Sequence, residues 1–261
     1  MVNKMQSALI KKELRDIFDE GNFFMNYILL PLIMAVLLPA GLVILLTFDL
    51  EEILAELAEI PVFAELIGAD VESAIHFMLD TVMAPFILMI PILTVLIMAT
   101  STFAGEKERK TLETLLYSPM SLKEIIEAKI IGVFLLGMIV TLVSFIAMVV
   151  VTGLSLWLTK GILFIPGLIW LPVILLVSPA FSIIGITFKV RVSAKAKSVQ
   201  QAQQKSAVLI MPLFILIIAQ FTGLAVINIW VYFFGGVILA ILAALLVKMV
   251  FKKLTYEELL R

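Results

Sequence analysis

The chain contains no cysteine and a single histidine, His76, among its 261 residues. Disulfides and thiolate metal sites are therefore excluded, and a histidine-based metal centre is not expected. No G-x-x-x-x-G-K-[ST] run occurs, so the chain lacks the usual phosphate-cradling loop for ATP. Charge is scarce as well: 15% of residues are charged and 62% are hydrophobic. Soluble domains are about 45–50% apolar, so this composition belongs to a polytopic membrane protein. The N-terminal stretch is charged, with no short apolar core and small-residue cleavage site behind it. No removable signal peptide is expected; the first span serves as the anchor.

What is present is a set of long apolar runs. They predict an all-α fold of six transmembrane helices, over 23–48, 81–104, 130–158, 168–188, 206–227 and 228–247. A run such as Asn26 to Phe48, at about 1.5 Å per residue, crosses a hydrocarbon core of about 30 Å. Pro31, Pro39, Pro85, Pro91, Pro172 and Pro179 fall inside these runs, and membrane helices tolerate them because neighbours satisfy the freed carbonyls. Before the first span, residues 1–22 read as an amphipathic helix. Ile10, Leu14, Ile17 and Phe18 lie on one face, with Lys11, Lys12, Glu13, Arg15 and Asp16 on the other. Such a helix either rests at the membrane interface or docks a partner.

The connections differ sharply in charge. Segment 49–80 holds nine acids and no Lys or Arg. Its spacing lacks a calcium-loop pattern, so it reads as a solvated face, with His76 and Asp80 on its last turn. Of the nineteen Lys and Arg, all but Lys160 fall in 1–22, 105–129, 189–205 or the 248–261 tail. Positive charge resists translocation, which puts both termini and those loops in the cytoplasm and the acidic loop outside.

Within the spans, no Asp, Glu, Lys, Arg or His is expected at membrane depth, so nothing offers a handle to an ion gradient. The polar side chains there (Thr94, Thr100, Ser101, Thr141, Ser144, Ser178, Ser182 and Gln220) are expected to join helices by hydrogen bonds. Gly236, Ala240 and Ala244 make a row of small residues on the last span, and Gly132 and Gly137 mark the third. Both sets suit close helix packing.

The island at 105–129, GEKERKTLETLLYSPMSLKEIIEAK, interrupts the apolar pattern. Thr111 to Leu116 predicts a short helix that presents Leu112, Leu115 and Leu116, ended by Pro119. Ser121 and Glu124 form a capping box for a second helix, which runs through Lys129 into the third span. The alternative is an ordinary charged loop.

This island resembles the signature of ATP-binding-cassette type 2 (ABC-2) exporter permeases, E-x-E-x-x-T-L-E-x-L-L-x-x-P followed by a helix ending in Lys. The matching positions are Glu106, Glu108, Thr111, Leu112, Glu113, Leu115, Leu116, Pro119 and Lys129. IKKELRD near the start, SAKAKSVQQAQQ at Ser193 to Gln204 and YEELL at the end are similar to the family's other segments. The resemblance implies a prokaryotic plasma-membrane permease subunit that pairs with a second copy or a sister permease. Two separate ATPase subunits would bind beneath it and hold the ATP, so this chain needs no cofactor and is not itself an enzyme. It implies an N-terminal connecting helix and a cytoplasmic coupling helix between spans two and three. The coupling residues would be Glu106, Glu108, Arg109, Thr111, Leu112, Glu113, Leu115, Leu116, Pro119 and Lys129. Lys11, Lys12 and Arg15 would form a secondary docking surface. No nucleic-acid partner is expected. Two other readings fit the residues alone: a membrane scaffold that recruits a cytosolic partner, and an intramembrane serine hydrolase.

Overall fold

The computed structural model describes residues 4–19, 24–48, 52, 71–105, 119–195, 198–221 and 228–253, and among these every regular element is helical. Helix α1 spans Lys4–Asp19. A π turn at Phe24–Ile28 leads into α2, Leu29–Phe48. Helix α3, Val71–Ala99, closes in a second π turn, Thr100–Gly105. Helix α4 covers Leu122–Lys160. A single turn at Trp170–Pro172 and a third π turn, Val173–Val177, precede α5, Ser178–Lys195. Helix α6, Val199–Ser206, continues through a 3-10 turn at Ala207–Leu209 to α7, Met211–Phe221. The last helix, α8, is Ile229–Lys253.

Among the described residues, five segments are long and apolar enough to cross a bilayer: Ile75–Gly105, Leu122–Lys160, Trp170–Ser193, Val199–Gln220 and Ile229–Lys252. A further apolar helix, Leu29–Leu45, is shorter. Helices run past the edges expected from hydropathy, because a helix need not stop where the lipid does. α3 begins inside the acidic segment and α4 inside the charged island. Most of 189–205 is helical, a correction to the expected loop. Its Ala, Gln and Lys residues are good helix formers. Of the acidic segment, residues 49–51 and 53–70 lie outside the described residues.

Proline explains two of the three π turns. Its ring collides with the carbonyl four residues back and offers no N–H to it. Pro31 and Pro179 each stand just past a π turn, where the wider winding absorbs that conflict. At the second of these, Ser178 Oγ donates to the Val173 carbonyl at 2.9 Å.

Helix α3 is the centre of the bundle. Its most apolar stretch is 78% buried, against 17% for that of α8. Two neighbours close on it through glycine: a Cβ at Gly137 on α4 would stand 2.5 Å from Val95 Cγ1, and one at Gly185 on α5 would stand 3.0 Å from Val95 Cγ2. Gly236 brings α8 against Leu176, where a Cβ would stand 2.9 Å from the Leu176 Cβ. Ala240 and Ala244 are exposed, so among the described residues Gly236 alone of that row packs.

The buried hydroxyls mostly bond back along their own helices. Thr100 Oγ1 donates to the Leu96 carbonyl at 2.6 Å, and Thr141 Oγ1 to that of Gly137 at 2.8 Å. A short hydroxyl reaches its own preceding turn more easily than a neighbouring helix. Two of the expected polar side chains do cross between helices: Gln220 Nε2 donates to the Thr81 carbonyl at 2.5 Å, and Ser182 Oγ to Met138 Sδ at 3.8 Å.

Candidate functional site at the head of the long helix

Helix α4 has 39 residues, roughly 58 Å at the helical rise, and so outruns a hydrocarbon core of about 30 Å. Its first turns are the candidate site. Ser121 caps them: Ser121 Oγ accepts from the Glu124 N–H at 3.3 Å, and the Ser121 N–H donates to Glu124 Oε2 at 2.8 Å. Both halves of the expected capping box are present. Ser121→Ala removes an acceptor from the first turn. Hydrogen exchange at the amides of Lys123 and Glu124 is expected to accelerate, with the rest of α4 unchanged.

Helix α1 lies along this head. Leu9 packs with Ile125 and Ala128, supported by Ile10 and Met120. Beside that cluster, Lys129 Nζ donates to Glu13 Oε1 at 2.7 Å, in an ion pair whose side chains are 1% and 5% exposed. Gly132 makes room for it, since a Cβ there would meet Glu13 Cβ at 3.3 Å. Two turns earlier on α1, Gln6 Nε2 donates to Glu127 Oε2 at 3.4 Å, and Glu127 also faces Lys123 at 3.6 Å. Lys123 Nζ sits 5.7 Å from the centre of the Phe251 ring, which brings the end of α8 to the same place.

Two expectations are corrected here. Glu13 does not lie on a solvated face: the buried stripe of α1 is Gln6, Leu9 and Glu13, rotated from the expected one. Lys129 is not offered to a partner, because it is sealed against Glu13. Its long stem reaches into the contact and its ammonium finds there the charge that makes burial tolerable. Lys11, Lys12 and Arg15 are exposed on the outward side of α1, and Pro119 is exposed at the bend before Ser121. Glu106, Glu108, Arg109, Thr111, Leu112, Glu113, Leu115 and Leu116 lie outside the described residues, as does the helix expected at Thr111 to Leu116.

Two further polar groups, Lys189 buried and Asp80 half-buried, were not expected to pack. Lys189, expected in a loop, is fully buried in α5 and donates to the Ala202 carbonyl and to Ser206 Oγ, each at 2.9 Å. It thus pins α6 back onto α5, its charge close to the C-terminal end of the short helix. Asp80, expected on a solvated face, instead ties the start of α3 to the segment after α4. Its Oδ2 accepts from the Gly167 N–H at 3.0 Å and its Oδ1 from Trp170 Nε1 at 2.7 Å. His76 stacks on Phe164 with ring centres 5.5 Å apart. Among the described residues, no group of three or more His, Cys, Asp or Glu is placed to hold a metal.

The site therefore joins helices and carries no reactive constellation among the described residues. A search of curated proteins finds no match. The family model described as ABC-2 family transporter protein matches residues 7–252, nearly the whole chain, including the Glu13–Lys129 pair. This all-helical membrane protein belongs to the ABC-2 transporter family.

Proposed function

We propose that the chain is the membrane-spanning permease subunit of an ATP-driven exporter, lining the path for its cargo and drawing force from a separate ATPase subunit. In this reading it has six membrane helices and works beside a second permease copy or a sister chain. Both termini lie in the cytoplasm, and the membrane is the plasma membrane of a prokaryotic cell. The observation that carries the reading is the buried Glu13–Lys129 pair. It fastens a peripheral helix, whose outward side shows Lys11, Lys12 and Arg15, to the head of a membrane-crossing one. A load applied to α1 or to the island before Ser121 then passes into α4 as into one body. The uncharged middles of the spans support an energy source outside the chain.

The test is reconstitution with the ATPase that co-purifies with the chain. Replacing Glu106, Glu108 and Glu113 together by alanine is expected to abolish permease-stimulated ATP hydrolysis and cargo movement, with expression and membrane insertion unchanged. Transport of a solute by the purified chain alone under an ion gradient would overturn the reading.

A further inference from the structure

The segment between α4 and the next helix has an unusual make-up. Between Lys160 and Ser178 no side chain carries a nitrogen or oxygen except the indole of Trp170. Gly161, at φ 70°, stops α4, and residues 162–167 follow without regular structure. Side chains alternate along it. Phe164 and Trp170 turn inward at 5% and 4% exposed, whereas Leu163, Ile165 and Leu168 point outward at 65%, 66% and 72%. The outward set continues the exposed faces of Leu154, Trp157 and Leu158 on α4 and of Leu171 and Leu175 beyond.

Neither water nor hydrocarbon suits this segment. So large a contiguous apolar surface is not stable in water. Yet among the described residues no acceptor takes the N–H groups of Ile162, Leu163, Phe164 and Ile165. Unbonded backbone of that kind does not occur in the lipid-exposed hydrocarbon, where each such group costs several kcal/mol. Only the boundary between headgroups and acyl chains offers hydrogen-bonding partners to the backbone and an apolar bed to the side chains. We propose that residues 161–169 form a wedge seated in that boundary, with Leu163, Ile165 and Leu168 turned into lipid. Asp80 is the tie that holds it there. Its carboxylate takes the Gly167 N–H and the Trp170 indole, and the tight approach at Gly167 leaves no room for a Cβ. The His76–Phe164 stack is a second tie one turn away.

The absence of cysteine makes the test direct. Leu163→Cys, Ile165→Cys and Leu168→Cys, one at a time in the full chain, are labelled with a nitroxide in nanodiscs of phosphatidylcholine and phosphatidylglycerol. Collisions with oxygen are expected to exceed those with a water-soluble nickel chelate severalfold at all three, at a depth just below the headgroups. Nickel dominating at these sites would place the segment in water. Low collision rates with both reagents would mean that a second copy or another protein covers it. Either result overturns the proposal. In the Asp80→Asn background, nickel access is expected to rise severalfold while Ile139→Cys, on the exposed side of α4, keeps its oxygen-dominated signal. An unchanged depth in that background would remove Asp80 from its assigned role.

Discussion

Replacing Glu13 by alanine is expected to lower the unfolding free energy of the purified chain by about 3–5 kcal/mol, the scale for breaking one half of a buried ion pair. The loss comes mainly from what is left behind. Lys129, 1% exposed, would lose the Glu13 carboxylate that now faces it at 2.7 Å. Glu13→Gln keeps an acceptor at the same place and is expected to lose less. The paired change Glu13→Leu with Lys129→Met removes both charges, and such replacements are often neutral or stabilising by about 1–4 kcal/mol. Unfolding in detergent and denaturant, followed by circular dichroism, ranks these variants. The pair is screened little where it lies, so the ranking is expected to hold from low to high salt. The double variant also separates strength from transmission. If the pair acts only as glue, the double variant retains ATPase stimulation; if its directed bond aligns α1 on α4, stimulation falls although the fold is stable.

Local patterns in this chain were legible, and long-range ones were not. Ser121 and Glu124 stand three residues apart, so their reciprocal bonds could be read from spacing alone. The apolar runs announced apolar helices for the same reason. Glu13 was misread because IKKELRD surrounds it with charge, while its partner lies 116 residues away. Nothing in a helical wheel reports such a partner. A glutamate placed one turn from Leu9, with Gln6 a turn before, does fit a continuous stripe, and that stripe was the available signal. Lys189 and Asp80 read from sequence as parts of solvated connections, because charge ordinarily marks the end of a span. In each case the helix continues, and the charge is retained by a carbonyl, a hydroxyl or an indole that only the folded chain supplies. The small-residue row divides likewise: Gly236 meets Leu176, whereas Ala240 and Ala244 face outward, because period alone does not say which side a neighbour occupies.

Gly137→Val is expected to be the most disruptive single change in the middle of the bundle. Val95 is held between two glycines on different helices, and a first carbon at Gly137 would already stand 2.5 Å from its Cγ1. That carbon meets a β-branched side chain with few rotamers to retreat into, and the other side of Val95 is closed by Gly185 at 3.0 Å. Relief therefore requires α4 to move off α3 as a unit. Overpacking of this kind costs about 1–3 kcal/mol, occasionally more. Here it also separates the helix that carries the α1 contact from the central one. Gly185→Ala, with slightly more room, is expected to lose less. Val95→Ala supplies the check. Alone it leaves a small cavity and weakens the fold, but combined with Gly137→Ala it makes space for the new methyl. The two changes are then expected to be less harmful together than their sum, with a coupling of about 0.5–3 kcal/mol for residues in direct contact. Additive losses would mean that α3 and α4 do not meet through this glycine, and the central position of Val95 would have to be abandoned.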